Sequence, residues 1–330
     1  MDIIRKKTSK NSFNYYNKKT NKKISNKYII SRIDNLKIPP GYTNVIIASD
    51  TNSKIQATGR DDQHRKQYVY NSIFLEEQQD IKFADLIKFG KKLKRIRTDI
   101  YHNITNIKNP LSKEKIISII IFLMDKCHFR IGSEKYKQLY NTHGVSTLNS
   151  NHFLFKKNSL LIKFIGKKGV LNSNTISNKY AIEYLNYLCS LNSKYDYIFY
   201  YEDEQQNKYH ISDKQINKYL QKYNQNISAK FFRTWVANHT VISELLSKPK
   251  PKNIAEATKN TNDVIKIVAK KLNNTTKVSK KNYINNEIIQ LYISHPNTFF
   301  QIIKNLTKKN GKLPTVDRIL IRFLEYITKT

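Results

Sequence analysis

Between Ala84 and Ile100 the chain places apolar residues in steps of three and four, at Leu86, Phe89, Leu93, Ile96 and Ile100. Only an α-helix gathers that spacing onto one face. The opposite face carries Lys88, Lys91, Lys92, Arg95 and Arg97. Such a helix needs a core on one side, and its other side suits phosphates at least as well as water.

Upstream the period changes. Thr43 to Ala48 is rich in β-branched residues, Ile55 to Thr58 and Tyr68 to Phe74 read as further short strands, and Pro39-Pro40-Gly41 marks a turn. Residues 28–79 are therefore expected to form a small β-rich N-terminal domain. Residues 1–27, rich in Lys, Asn and Ser without periodicity, read as a flexible basic arm. Downstream the helical period returns in Leu111–Phe129, Glu134–Tyr140, Asn178–Leu191, Ala229–Ser247, Ile254–Leu272 and Tyr283–Ile293. One β excursion, Phe153–Lys156 and Leu160–Val170, turns at Gly166 and Gly169. The expected fold class is α+β, a small β-rich N-terminal domain plus a mainly α-helical domain over residues 80–330.

Charge narrows the partner. Lys and Arg number 59 against 25 Asp and Glu, a net charge of +34 spread along the whole chain. A compact state with that excess repels itself unless a polyanion shares the field. A coding bias toward Lys, Asn and Ile does not account for so few Glu, so nucleic acid leads over a membrane surface or an acidic protein. The longest largely apolar run, Ile116 to Met124, is too short to span a bilayer. The basic N-terminus has no apolar stretch of the signal-peptide kind. Cys127 and Cys189 sit in apolar helical patterns and form neither a disulfide framework nor zinc spacing, which fits a reducing compartment.

Four stretches stand out from the lysine background. Arg130 in Arg130-Ile131-Gly132-Ser133 ends an apolar helix, and Gly132 lets the chain turn so that the arginine points into a cleft. Lys167 lies between two glycines in a hairpin, on an arm able to reach a ligand. Arg233, in Lys230-Phe231-Phe232-Arg233-Thr234-Trp235, sits on a strongly apolar helix where a charge is expensive without an anion. Tyr283 follows Ser279-Lys280-Lys281-Asn282. Each has an ordinary structural explanation: a helix-end cation, a solvated tip, a buried ion pair, a packed aromatic. Together they suit phosphoryl chemistry. Two arginines clamp the oxygens of a phosphodiester, a lysine protonates the leaving oxygen, and a tyrosine attacks phosphorus. That chemistry needs no metal, and no acidic cluster suited to Mg²⁺ is evident.

These motifs, in order and spacing, resemble the type IB DNA topoisomerases of the small poxvirus and bacterial kind, whose catalytic fold is shared with tyrosine recombinases. The resemblance runs from about Val45 through Ile293, and the low-GC composition and long basic arm point to an origin in a large DNA virus. It implies that Arg130, Lys167, Lys230 and Arg233 serve catalysis and that Tyr283 is the nucleophile. The family's histidine, in a Gly-His-Thr-Pro loop nine residues before the tyrosine in the poxvirus enzymes, is replaced here by Asn274, as in the bacterial branch. Lys168 takes the place of an acidic residue after the hairpin lysine. Gln67, Tyr68 and Tyr70 resemble the family's β-domain DNA contacts, and Lys135 and Tyr136 are further expected DNA-binding residues. The implied function is relaxation of supercoiled duplex DNA through a 3′-phosphotyrosyl intermediate, swivelling and religation. It uses no ATP, metal or small-molecule cofactor and no membrane. A monomer clamping DNA is implied, inside the cell with DNA, in the virion or at a viral replication site. A tyrosine recombinase and a non-enzymatic DNA-packaging protein are the competing readings.

Overall fold

A computed structural model describes residues 2–9, 12–106, 108–191, 196–307 and 315–328. The chain divides into two compact units, Met1–Lys82 and Phe83–Thr330.

The first unit is an antiparallel five-stranded sheet of β1 (Asp2–Lys7), β2 (Phe13–Asn17), β3 (Thr43–Ala48), β4 (Ile55–Arg60) and β5 (Lys66–Tyr70), in the order β2-β1-β3-β4-β5. Its core is Ile3, Tyr15, Ile33, Val45, Ile47 and Ala57. The flexible arm expected over residues 1–27 is corrected here, although residues 1, 10 and 11 lie outside the described residues. β1 pairs with β3 in the register Ile3↔Ile47. Ile3 and Arg5 alternate inward, so two inward side chains per strand anchor a segment that is otherwise polar. The buried Arg5 guanidinium donates to the carbonyls of Ile38 at 3.2 Å, Pro39 at 3.0 Å and Tyr42 at 2.7 Å. The β pattern expected from Tyr28 also yields locally. Lys27–Asn35 is a helix, α1. Asn26 caps it by accepting from the backbone N–H groups of Tyr28 and Ile29, and Ile29, Ile30 and Ile33 share its inward face. Helical spacing and a cap outweigh the strand preference of isoleucine.

The helix α2 (Ser72–Thr105) contains the division between the units. In the second unit it is followed by α3 (Lys113–Cys127), α4 (Glu134–Tyr140), the antiparallel sheet β6 (Phe153–Lys156), β7 (Ser159–Gly166) and β8 (Val170–Ile176), then α5 (Lys179–Ser190). A two-stranded pair, β9 (Tyr200–Glu202) and β10 (Lys208–His210), precedes α6 (Asp213–Gln221), α7 (Lys230–Ser247) and α8 (Ile254–Lys271). The chain continues through α9 (Thr276–Asn282), α10 (Asn286–Ser294), α11 (Pro296–Thr307) and α12 (Val316–Ile327). A small antiparallel sheet unit and a mainly helical body give the α+β class.

The apolar face of α2 is fully buried, and α3 is buried on every side from Lys115 to Met124. Phe89 sits at the centre, with ring centroids 5.8 Å from Phe231, 5.0 Å from Phe232 and 6.0 Å from Trp235. Gly90 must be glycine because a Cβ there would lie 2.4 Å from the Trp235 ring. These contacts fix α7, the helix carrying Arg233. The cationic face of α2 is less open to phosphate than its spacing implies. Arg97 donates to Asp125 at 2.9 and 3.0 Å and to Asp317 at 3.0 Å. Lys88 pairs with Asp85, Lys91 with Glu325 and Arg95 with Asp99. Phe89→Ala is expected to cost about 3–5 kcal/mol by cavity formation under α7. Urea unfolding followed by Trp235 fluorescence measures it.

Candidate active site

The site is assembled where three segments end. α3 stops at His128, whose φ of 58° turns the chain out of the helix. Phe129 then packs edge-on against Phe164 of β7, centroids 4.9 Å apart. Arg130 follows, and its segment is pinned by the Val145 N–H donating to the Arg130 carbonyl at 2.9 Å and the Ser146 N–H to the Ile131 carbonyl at 2.8 Å. Gly132, at φ 95°, and Gly144 pass so closely that a Cβ on Gly144 would lie 2.3 Å from the Gly132 nitrogen.

Arg233 projects from α7 and is 4% exposed. Among the described residues no carboxylate forms an ion pair with it. Its guanidinium donates to the carbonyl of His128 and, at 2.6 Å, to that of Leu272, the residues capping α3 and α8. Helix C-termini carry partial negative charge, so these carbonyls solvate the cation without cancelling it. Burial, then the charge of Arg130, pulls its pKa down to about 10, which leaves it cationic at neutral pH.

After α8 the chain turns through Asn273, at φ 49°, into Asn274. The Asn274 N–H donates to the Ala269 carbonyl at 2.9 Å. Its side-chain Oδ1 accepts from Arg130 Nη2 at 2.7 Å. That bond turns the other end of the amide, Nδ2, into the interior, where it makes no hydrogen bond of ordinary geometry; Arg233 Nε is in the same condition.

Tyr283 follows α9, and the helix expected from Tyr283 to Ile293 starts later, at Asn286. The Ser279 carbonyl accepts from the N–H groups of both Tyr283 and Ile284, at 3.1 and 3.2 Å, which ends α9. The Asn285 side chain then accepts from the Glu287 N–H at 2.8 Å and starts α10. The nucleophile candidate therefore sits on a joint between two helices. The Arg233 Cζ lies 5.4 Å from the Tyr283 ring centroid. Burial acts to raise the Tyr283 pKa. The charge and hydrogen-bonding of Arg233, the charge of Arg130 and hydrogen-bonding from Asn274 outweigh it, and the net shift is downward.

One residue of this arrangement escapes the motif reading. Asn238 is fully buried on α7, one and a half turns beyond Arg233. Its Nδ2 donates to the carbonyls of Thr234 at 2.8 Å and Tyr283 at 2.9 Å. Its Oδ1 accepts from the Asn285 N–H at 2.7 Å. It thus holds the backbone on both sides of the joint. The available signal was an amide in the apolar run Trp235-Val236-Ala237-Asn238-His239-Thr240-Val241-Ile242, where an unsatisfied polar group is costly.

Arg130, Arg233, Asn274 and Tyr283 are thus brought together. Lys167 and Lys230 are not. Lys167 is exposed in a short 3₁₀ turn, Lys167–Gly169, between β7 and β8. Lys230 is exposed at the start of α7, its Nζ 5.7 Å from the Phe231 ring. Lys135 and Tyr136 are exposed on α4, where Tyr136 stacks on Tyr140 at 5.8 Å. In the first unit Tyr68 and Tyr70 form an exposed stack at 5.9 Å on β5, and Gln67 Nε2 donates to Asp61 at 2.8 Å. Among the described residues no group of three or more His, Cys, Asp or Glu is placed to hold a metal ion.

Residues 70–309 match the family model of the eukaryotic DNA topoisomerase I catalytic core, and residues 12–61 match that of the bacterial DNA topoisomerase IB N-terminal domain. The chain is 32% identical over 310 residues to DNA topoisomerase 1B of Acanthamoeba polyphaga mimivirus, covering 91% of this chain and 90% of that one. It is 23% identical to DNA topoisomerase 1 of Rabbit fibroma virus, covering 90% of each. It is also 23% identical to DNA topoisomerase 1B of Vaccinia virus (strain Copenhagen), covering 78% of this chain and 80% of that one. The fold and these matches define a DNA-cleaving and rejoining isomerase. The chain belongs to the type IB DNA topoisomerase family. It relaxes supercoiled duplex DNA, without ATP, by transient single-strand cleavage through a 3′-phosphotyrosyl intermediate, swivelling and religation.

The geometry sets an expectation for the free protein. Tyr283 should ionise below the ordinary phenol value of about 10, and Asn274→Ala, which removes one donor favouring the anion, should move it upward. A ¹³C-ring-tyrosine NMR titration, assigned with Tyr283→Phe, reads both. Ionisation of Tyr283 at or above the ordinary value contradicts the arrangement.

Proposed function

We propose that Tyr283 is the nucleophile and that Arg130, Arg233 and Asn274 stabilise the transition state. The observation carrying this is a pair of buried donors, Arg233 Nε and Asn274 Nδ2, that make no hydrogen bond of ordinary geometry, beside a phenol whose pKa the same two residues help to lower. Buried donors normally make such bonds, so a pair short of them suits an anion that arrives with the substrate.

The phenolic oxygen of Tyr283 attacks phosphorus, its proton passing to water. A 3′-phosphotyrosyl bond forms as the bond to the 5′-oxygen breaks. Charge grows on the equatorial oxygens, facing the two guanidinium groups and the Asn274 amide. One such preorganised donor is worth about 3 kcal/mol. Lys167 delivers the proton to the departing 5′-oxygen, with Lys230 and Arg130 in support. Religation reverses each step, and the phosphotyrosyl bond stores the energy for it. No step is assigned to a metal ion.

The first unit, Met1–Lys82, acts as the DNA-reading domain through Gln67, Tyr68 and Tyr70, joined in duplex binding by Lys135 and Tyr136. The second unit, Phe83–Thr330, acts as the catalytic domain. A monomer closes around the duplex, drawn to it by the +34 charge. The viral relatives support work on viral DNA, in the virion or at a replication site.

Tyr283→Phe should abolish the covalent protein–DNA adduct, detected by denaturing gel, while duplex binding changes less than about threefold. Persistent adduct removes Tyr283 from the role. Plasmid relaxation by the native chain should continue in EDTA; a strict divalent-ion requirement contradicts the metal-free steps.

A further inference from the structure

The proposed mechanism leaves a difficulty. The proton donor, Lys167, sits on an exposed turn with no hydrogen bond to Arg130, Arg233, Asn274 or Tyr283, yet it must meet a leaving oxygen within hydrogen-bond reach. The turn has little support of its own. Lys168 has φ 65° and Gly169 φ 71°, and a Cβ added at Gly169 would meet nothing within 4 Å. Its aim must come from the strands below it.

Both strands are tied to the site. On β7 the Ile165 carbonyl accepts from the His143 N–H at 2.8 Å, next to Gly144 and therefore to the segment that holds Arg130. On β8 the tie is Asn172, 3% exposed in a hairpin whose tip is open. Its Nδ2 donates to the Val170 carbonyl at 2.9 Å, curling the strand under the turn. Its Oδ1 accepts from Asn273 Nδ2 at 3.2 Å. The amide fits only because residue 166 is glycine, since a Cβ there would lie 2.3 Å from Asn172 Nδ2. Asn273 in turn occupies the left-handed turn immediately before Asn274. One side-chain hydrogen bond therefore joins the base of the lysine hairpin to the loop that presents the Asn274 amide.

We infer that Asn172 and Asn273 form a latch that registers Lys167 against the phosphate site, making both of them positioning residues for leaving-group protonation. The inference rests on the reading of Lys167 as the proton donor. The latch is oriented from both ends. Val170 fixes which way the Asn172 amide faces, and the left-handed backbone of Asn273 aims its Nδ2 toward β8. Asparagine suits that backbone, which bulkier residues adopt at a cost. A misplacement of about 1 Å in a catalytic group is enough to lose up to a hundredfold in rate.

The test is single-turnover cleavage by Asn172→Ala, Asn273→Gly and the double variant. Asn273→Gly keeps the left-handed turn accessible while deleting the amide, so it tests the latch even if Asn172→Ala disturbs packing around Gly166. On ordinary duplex DNA each single variant should cleave about ten- to a hundredfold more slowly. Duplex binding should not change, and the double variant should be no slower than the worse single. On a substrate with a 5′-bridging phosphorothiolate, whose sulfur leaves without a proton, the loss should largely disappear. Full activity of Asn273→Gly on ordinary DNA overturns the latch, and so does a loss that persists undiminished on the phosphorothiolate. Lys167→Ala on the same two substrates separates the layers. If it is not rescued, Lys167 is not the proton donor and the latch has nothing to aim. If it is rescued and Asn273→Gly is not, the latch alone fails.

Discussion

The guanidinium of Arg233, solvated by the carbonyls that end α3 and α8, is the interaction on which the rest of the site depends. A buried cation needs compensation, and the common solution is a carboxylate. A carboxylate here would neutralise the charge that the proposed chemistry uses. Two helix C-termini supply hydrogen-bond acceptors and a favourable dipole while leaving the formal charge intact. The same two bonds fix distances between elements far apart in sequence. His128 lies two residues before Arg130 and Leu272 two before Asn274. One side chain thereby positions the segments that carry the other two donors, and it rises from a helix held in place by the Phe89 cluster.

A second layer fixes orientation rather than position. The Asn274 amide has two ends with opposite hydrogen-bonding character, and Arg130 occupies the accepting one. On the proposed mechanism the donating end is therefore the one left for the phosphate, with no rotation needed when it arrives. Asn238 does the equivalent for the proposed nucleophile by holding the Tyr283 carbonyl and the Asn285 N–H. The Asn274 amide lacks a charge, but its direction is locked by Arg130.

The candidate residues stand out in the sequence, and much of what supports them does not. Arg130, Lys167, Arg233 and Tyr283 show themselves because each is a charged or reactive residue in a frame that ordinarily excludes it: after a helix end, between glycines, on an apolar face, after a run of cations. Asn238, Asn172 and Asn273 lack that contrast in a chain so rich in asparagine, and their importance lies in partners 45, 47 and 101 residues away. The helix at Lys27–Asn35 was masked by isoleucines that favour strands. The strands β1 and β2 were masked because two or three inward side chains suffice to seat them in a sheet whose other strands already exist. The ion pairing on the cationic face of α2 was hidden for a related reason. The carboxylates that engage Arg97, Asp125 and Asp317, come from α3 and α12, and no local window contains all three.

The cations of the site fall into two groups, and their different burial has a physical basis. On the proposed mechanism, groups that stabilise charge on the equatorial oxygens must be in place before the charge appears, and Arg233 is buried while Arg130 and Asn274 are half-buried and held by their mutual hydrogen bond. Crowding has a limit, visible in Arg233, whose pKa is lowered by the neighbouring charge of Arg130 as well as by burial. A third cation held permanently in the empty cluster would be driven toward its neutral form, since like charges in a desolvated site disfavour each other. A lysine deprotonated in advance has no proton to give. On the proposed mechanism an exposed Lys167 avoids this. It meets the cluster only when the phosphodiester brings negative charge to offset the two arginines. What such a lysine then requires is direction rather than proximity, and that is what a hydrogen bond at the base of its hairpin can supply.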